Sequence, residues 1–379
     1  MTGAGESLNT VRPRSTRETA PRRVSDRVRP GHARRAARLQ LLIALGLFAA
    51  DLSAPATRAQ DAVFLSSPNS AQGVIRVTGA IADYSSAGLV IDIGGGSRTF
   101  PAENVARIET RRIAPHEKAD ALSAAGDFPA ALAAYRAARE QEARPWVRRQ
   151  ITAEIVWCCR ALGQLSAAAG EFLLLVRADS ATPYFDCIPL AWYPSSQSAQ
   201  LEQDARTWLR QESTPAAVLL GASYLLPTEL GGAALDRLRI LSTSAEKTIA
   251  QLALTQTWRM AAVSADAGQV ASWERTLESM PPPLRAGGYY VVGQAWARLG
   301  DWEKSALAMM RIPILHSRDR SLAARALLDA GAALERLQRR EAALGLYREL
   351  LVDYPESPGV AEAQLRLSPP AGGPGGLWS

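Results

Sequence analysis

Residues 284–310 read LRAGGYYVVGQAWARLGDWEKSALAMM, and residues 323–355 read AARALLDAGAALERLQRREAALGLYRELLVDYP. One helical hairpin is written twice in these two stretches. With the first copy anchored at Gly300 and the second at Gln338, the spacing is 38 residues. Equivalent places then pair Tyr289 with Leu327, Val292 with Ala330, Gly293 with Gly331 and Trp296 with Leu334. Beyond the turn, Ser305 pairs with Ala343 and Met309 with Tyr347. Small residues fall where two helices must approach closely, and large apolar ones fill the space beside them. A two-helix unit repeated at this period predicts a stacked array, because one hairpin cannot bury its apolar face alone.

The pattern resembles the tetratricopeptide repeat. In the last copy Leu327, Ala330, Gly331, Leu334, Ala343, Tyr347, Leu350 and Pro355 carry the resemblance, and in the preceding copy Tyr289, Val292, Gly293, Trp296 and Trp302 do. Ser305 stands where the family has Ala. Pro313 comes early, which predicts that this second helix ends short. A third copy anchored on Gly126 uses Leu122, Phe128, Ala131, Tyr135 and Ala138, with the polar Lys118 in its first helix. A fourth, anchored on Gly163, uses Val156, Cys159, Leu165, Ala168 and Phe172, and lies 37 residues beyond the third. Both spacings exceed the roughly 34 residues usual for the family, so some turns are longer. No copy is legible between 180 and 283.

The net charge of +6 at first suggests an anionic partner. Its location removes that reading. Residues 1–59 hold eleven arginines against Glu6, Glu18, Asp26 and Asp51, so the remaining chain is close to neutral. A nucleic-acid footprint needs a basic stripe on the folded part, and none is visible.

Residues 1–38 carry too few large apolar groups to fold alone. LQLLIALGLFAA follows at 39–50, ended by Asp51. Twelve helical residues span about 18 Å, against a hydrocarbon core of about 30 Å. A positive lead, a short apolar core and then small residues read as a secretory signal, with cleavage after Ala56 or Ala59. The protein is thus expected outside the cytoplasm, periplasmic or secreted. The alternative is an uncleaved segment that anchors it to the membrane.

Residues 60–112 shift to Val- and Ile-rich alternation. Val74, Arg76 and Thr78 fall on one side, Ile75 and Val77 on the other. Gly94–Ser97 and Pro101–Asn104 supply turns. Four or five short strands in this length can close as a small barrel. The layout resembles the SH3-like or Sm-like small barrels. Beyond Tyr84 and Phe100 no aromatic pair with basic neighbours supports an RNA surface.

Residues 113–368 read as one helical array, with helices at 114–125, 129–143, 146–162 and 165–176. Between 198 and 283 five further helical stretches carry apolar residues at three and four spacing. A loop at 178–197 separates the two groups. It holds Pro183, Pro189 and Pro194 with Tyr184, Phe185, Trp192 and Tyr193. Loops of this length are uncommon in compact arrays. It reads either as a contact surface or as a cover folded back on the array's apolar ridge. Residues 369–379 form a Gly- and Pro-rich tail.

Chemistry is sparse. His32, His116 and His316 are scattered, without metal-ligand spacing. Gly221-Ala222-Ser223-Tyr224-Leu225 lacks the final Gly of a nucleophile elbow. Catalytic, cofactor and metal residues are therefore not assigned. Cys187 in the loop is a candidate bridge to Cys158 or Cys159, since exported proteins keep disulfides.

The fold class that follows is mainly α: an array of helical hairpins after a small β module. Such arrays leave a groove lined by the first helix of each pair. The tetratricopeptide resemblance implies that a peptide segment lies there, and carries the inward positions to Trp157, Arg160, Tyr290, Gln294, Arg298, Arg325 and Arg336. Aromatic residues and Arg dominate binding hot spots. The bland alternative is that Tyr290 packs against a neighbouring helix and the arginines are solvated. The expected function is an exported, non-enzymatic scaffold for a protein or peptide partner. The second expectation is an accessory subunit whose β module holds an envelope glycan while the array positions it.

Overall fold

The computed structural model describes residues 60–67, 73–194 and 198–368. The arginine-rich lead, the expected export signal and the C-terminal tail lie outside the described residues. Among those described, fourteen α-helices follow a five-stranded antiparallel sheet, so the chain is mainly helical with a small β module first.

The strands are β1 (Asp61–Ser66), β2 (Val74–Ser85), β3 (Gly88–Ile93), β4 (Gly96–Phe100) and β5 (Val105–Glu109), in the order β4-β3-β2-β1-β5. β2 serves both halves of the sheet. Its first part, Val74–Gly79, pairs with β1, and Ala80–Ser85 pairs with β3 through a bulge between Ile81 and Asp83. One 3-10 turn at Ala102–Asn104 carries the chain from β4 to β5, which returns beside β1. The alternation in β2 points Val77, Gly79 and Ile81 inward, while Ile75 at the strand's start remains 50% exposed.

The helices are α1 (Ala114–Ala124), α2 (Phe128–Gln141), α3 (Pro145–Ala161), α4 (Leu165–Ala178), α5 (Ala199–Leu209), α6 (Pro215–Leu225) and α7 (Gly231–Leu241). Then come α8 (Lys247–Ala261), α9 (Ala267–Ser279), α10 (Ala286–Arg298), α11 (Trp302–Leu315), α12 (Arg320–Arg336), α13 (Arg340–Asp353) and α14 (Val360–Leu367). Consecutive helices pack against one another along most of the array.

The four anchor positions share one backbone device. Gly126, Gly163, Gly300 and Gln338 all adopt positive φ, at 79°, 68°, 80° and 60°. Each closes its helix with the same pair of bonds: Gly300 N–H donates to Ala297 O and Asp301 N–H to Trp296 O, just as Gln338 donates to Glu335 O and Arg339 to Leu334 O. That is the left-handed helix stop in which glycine costs nothing, whereas Gln338 carries about 1–2 kcal/mol of backbone cost. Behind the turn, Asp127 and Asp301 accept from backbone N–H groups and start the second helix of their pairs.

The small and large residues meet as their spacing predicts. A Cβ on Gly293 would lie 2.7 Å from Met309, and one on Gly331 would lie 2.3 Å from Tyr347. Helix α10 therefore packs on α11 as α12 packs on α13. One expectation is overturned. Pro313 does not shorten α11, which runs to Leu315 and matches the 14 residues of α13. Pro313 lies in the last turn and is buried, so it forfeits a single backbone bond where packing against neighbours supports the helix.

The sheet and helices share one hydrophobic core. Arg149 of α3 donates to Asp83 and to Tyr84 O of β2, and Tyr84 stacks edge-on with Tyr184 at 5.8 Å. Arg144 bridges Glu142 to Thr110 and to Arg111 O. Helices far apart in the chain also meet, because α3 packs against α12. Among the described residues no helix is long and apolar enough to cross a membrane.

Candidate functional site

The inner face of the array is not empty. The described part of the loop, 179–194, folds back across it, burying Phe185, Cys187, Ile188, Leu190 and Trp192. Of the two readings of this loop, the cover is the one observed. Its backbone is held by side chains from three helices. Arg160 of α3 donates to Cys187 O at 3.2 Å. Tyr224 of α6 donates to Pro189 O, and Ser223 Oγ accepts from Ala191 N–H at 3.3 Å. Gln256 of α8 donates to Ala191 O at 3.0 Å. Both Ser223 and Gln256 are fully buried, so these bonds satisfy groups that would otherwise be costly. Trp192 lies where only a glycine on α10 leaves room, since a Cβ on Gly287 would come within 1.8 Å of its ring.

Magnitudes decide whether a partner can displace this segment. Burying each large side chain is worth about 1.5–3 kcal/mol, and these five sum to the order of 10 kcal/mol. A micromolar partner supplies about 8 kcal/mol, and a whole domain is stable by only about 5–15 kcal/mol. The segment is part of the core, and the floor of the groove is closed to a peptide.

What remains open is the mouth. Trp157 is half-buried between two guanidiniums, Arg160 at 4.3 Å and Arg318 at 5.0 Å from its ring. Arg160 pairs with Asp319 in a buried contact, and Arg318 pairs with Glu154 at 2.5 Å. Tyr193 continues the strip: its hydroxyl bonds Ser321 at 2.6 Å, and its ring sits 5.7 Å from Tyr290 and 5.9 Å from the Arg325 guanidinium. Tyr290 donates to Asp329 at 2.7 Å, Gln294 donates to both, and Arg325 holds Asp329 at 3.0 Å. Trp157 and Arg318 are thus joined through Arg160 and Asp319 to Ser321, Tyr193, Arg325 and Gln294, a partly exposed band that runs over α3, the turn before α12, the loop, α12 and α10.

Five of the seven candidate groove residues converge here: Trp157, Arg160, Tyr290, Gln294 and Arg325. Two of the five lie beneath the surface, since Arg160 is 8% and Tyr290 3% exposed. Tyr290 does pack on its neighbours, and Arg160 is not solvated. Arg298 and Arg336 belong elsewhere. Both are exposed at the ends of their helices, where Arg298 donates to Val263 O and Arg336 stacks 5.6 Å over Trp302. Repeat position alone cannot tell the last helical turn from the inner face. Sequence reasoning missed Arg318, Ser321 and Tyr193 as members of the band. Only the aromatic content of the loop signalled Tyr193.

Electrostatics limits what the band can do. Its Arg318 and Arg325, and Arg160 beneath them, are matched by Glu154, Asp329 and Asp319, so it offers no net positive well. Burial pushes the Glu154 and Asp186 carboxyls above their ordinary values, while Arg318 beside them pulls back. The expected disulfide is not present: Cys158, Cys159 and Cys187 are all free and buried. The loop is tied down by side-chain bonds and apolar contact instead. Burial raises the Cys158 thiol to about 12 and that of Cys187 well above its usual value, so neither is a thiolate nucleophile at neutral pH. Among the described residues no group of three His, Cys, Asp or Glu could hold a metal. The chain matches no known family model, and no curated protein matches it in sequence.

Proposed function

We propose that the protein is an exported, non-enzymatic scaffold that mediates protein–protein interaction through a peptide segment of its partner. The segment lies across the band at the mouth of the inner face and not on the groove floor. The observation that supports this reading is the band that joins Trp157, Tyr193 and Arg325, three side chains of hot-spot type held rigid before any partner arrives. Pre-ordering removes much of the entropy cost of binding. Export rests on the basic lead and short apolar run at 1–59.

The test places a photo-reactive residue at Ser321 in the full chain and identifies the cross-linked envelope proteins. A specific partner is expected, and Trp157→Ala or Arg325→Ala is expected to weaken its capture about tenfold or more. Probes at Arg298 and Arg336 are the controls. Equal cross-linking from those edges, or capture indifferent to both alanine variants, removes the proposal.

A further inference from the structure

A second concavity lies away from the band, between α2, α3 and α4, on the side where Arg149 reaches the β module. It is an open cleft of about 430 Å³ whose lining includes Arg139 and Glu140 of α2, Arg148 and Arg149 of α3, and Leu174 and Leu175 of α4. Clefts of this order of volume set between helices are those of small-molecule sites.

Two of its three arginines are fixed from behind. Arg139 is held by both carboxylate oxygens of Glu171. Arg149 gives one terminal nitrogen to Asp83 and to Tyr84 O at 2.9 Å, which leaves its other terminal nitrogen uncommitted and its Nε buried without a partner. The β module is pinned on this side, because Ser86 donates from both backbone and side chain to Asp179 just past α4. Between these fixed groups stands Arg148, exposed and, among the described residues, with no side-chain hydrogen bond or ion pair. A guanidinium fork matches a carboxylate with two parallel bonds.

Charge and surface then narrow the ligand. Glu171 and Asp83 already neutralise Arg139 and Arg149, so Arg148 is the cation left over. Glu140 on the lining disfavours a second negative charge, which argues against a dianion such as phosphate. Opposite the arginines, Leu174 is 47% exposed beside Leu175, an apolar wall left open by the described residues. We propose that this cleft binds a single carboxylate carried on a short aliphatic chain, with Arg148 and the free terminal nitrogen of Arg149 taking the oxygens and Leu174 taking the chain.

The experiment is calorimetric titration of the full protein with hexanoate, with acetate and 1-hexanol as partial probes. Saturable hexanoate binding is expected, at least several-fold tighter than either partial probe and weakening as salt rises. Arg148→Gln is expected to lose about tenfold or more in affinity. Leu174→Ser is expected to weaken hexanoate while leaving acetate unchanged. Both side chains are exposed, and an unaltered melting temperature verifies that the variants fold. No saturation by hexanoate, equal binding by Arg148→Gln, or hexanol binding as well as hexanoate each overturns the assignment. None of these outcomes bears on the partner band.

Discussion

His116 shows how one buried ring ties stability to pH. It is fully buried at the start of α1, and neither ring nitrogen has a hydrogen-bond partner. Burial disfavours the imidazolium and lowers the titration point below 6.5; Asp120 and Glu142 oppose that, and Arg112 and Arg144 reinforce it. Below pH 6.5 the unfolded chain binds the proton more readily than the folded one. The stabilising contribution is therefore complete above about 6.5 and is lost as pH falls towards the folded-state value. Glu154 and Asp186, with raised values, act in the opposite sense, so the informative quantity is a difference between proteins. His116→Leu is expected to lack the acid-side loss. Denaturant unfolding from pH 7 to 5 should show the wild type losing ground to the variant by up to about 1.4 kcal/mol per pH unit. A constant difference across that range would rule the mechanism out.

The segment that fills the inner face acts as an element although it has little regular structure. Gly287 and Trp192 are its tightest joint, and neither the α10 backbone nor the indole can cheaply make room for a Cβ that would lie 1.8 Å from the ring. Gly287→Ala is expected to destabilise by about 2–3 kcal/mol, measured by urea unfolding. In a Trp192→Ala background the same change should cost almost nothing, and additive effects would show that the clash is relieved elsewhere. At this scale the sequence was partly legible. Hairpin boundaries could be read because Gly126, Gly163 and Gly300 mark left-handed stops, and because Gly293 and Gly331 leave room for Met309 and Tyr347. The loop's length and its aromatics flagged 178–197 as unusual. Its path was hidden, because the groups that hold it, Ser223 and Gln256, look like ordinary polar interruptions of α6 and α8. Their partners are backbone atoms 32 and 65 residues away, which no local pattern encodes. Pro313 keeps its place in α11 through the support of neighbouring helices, which chain geometry alone does not encode.

For the whole molecule, the decisive contact joins α3 to the start of α12. Arg160 and Asp319 are separated by 159 residues, and their side chains are only 9% and 11% exposed. Removing one partner strands the other in the core. Asp319→Ala is expected to cost about 3–5 kcal/mol, visible as a large drop in melting temperature. Arg160→Met combined with Asp319→Leu should recover most of that loss, since a buried ion pair is often no better than well-packed apolar groups. A single variant costing under about 1 kcal/mol would mean that the pair does not hold the closure together. The repeat pattern foretold stacking but not this meeting, because periodicity reports neighbours in the stack and is silent on curvature.

Open stacks of hairpins tolerate duplication or loss of a unit, since each unit touches only those beside it. Here a gained or deleted hairpin anywhere between Arg160 and Asp319 would shift one of them by a full repeat, leaving two buried charges facing the wrong neighbours. Copy number in this chain is therefore locked by a contact that belongs to no single copy, and variation in length is admissible only beyond α12.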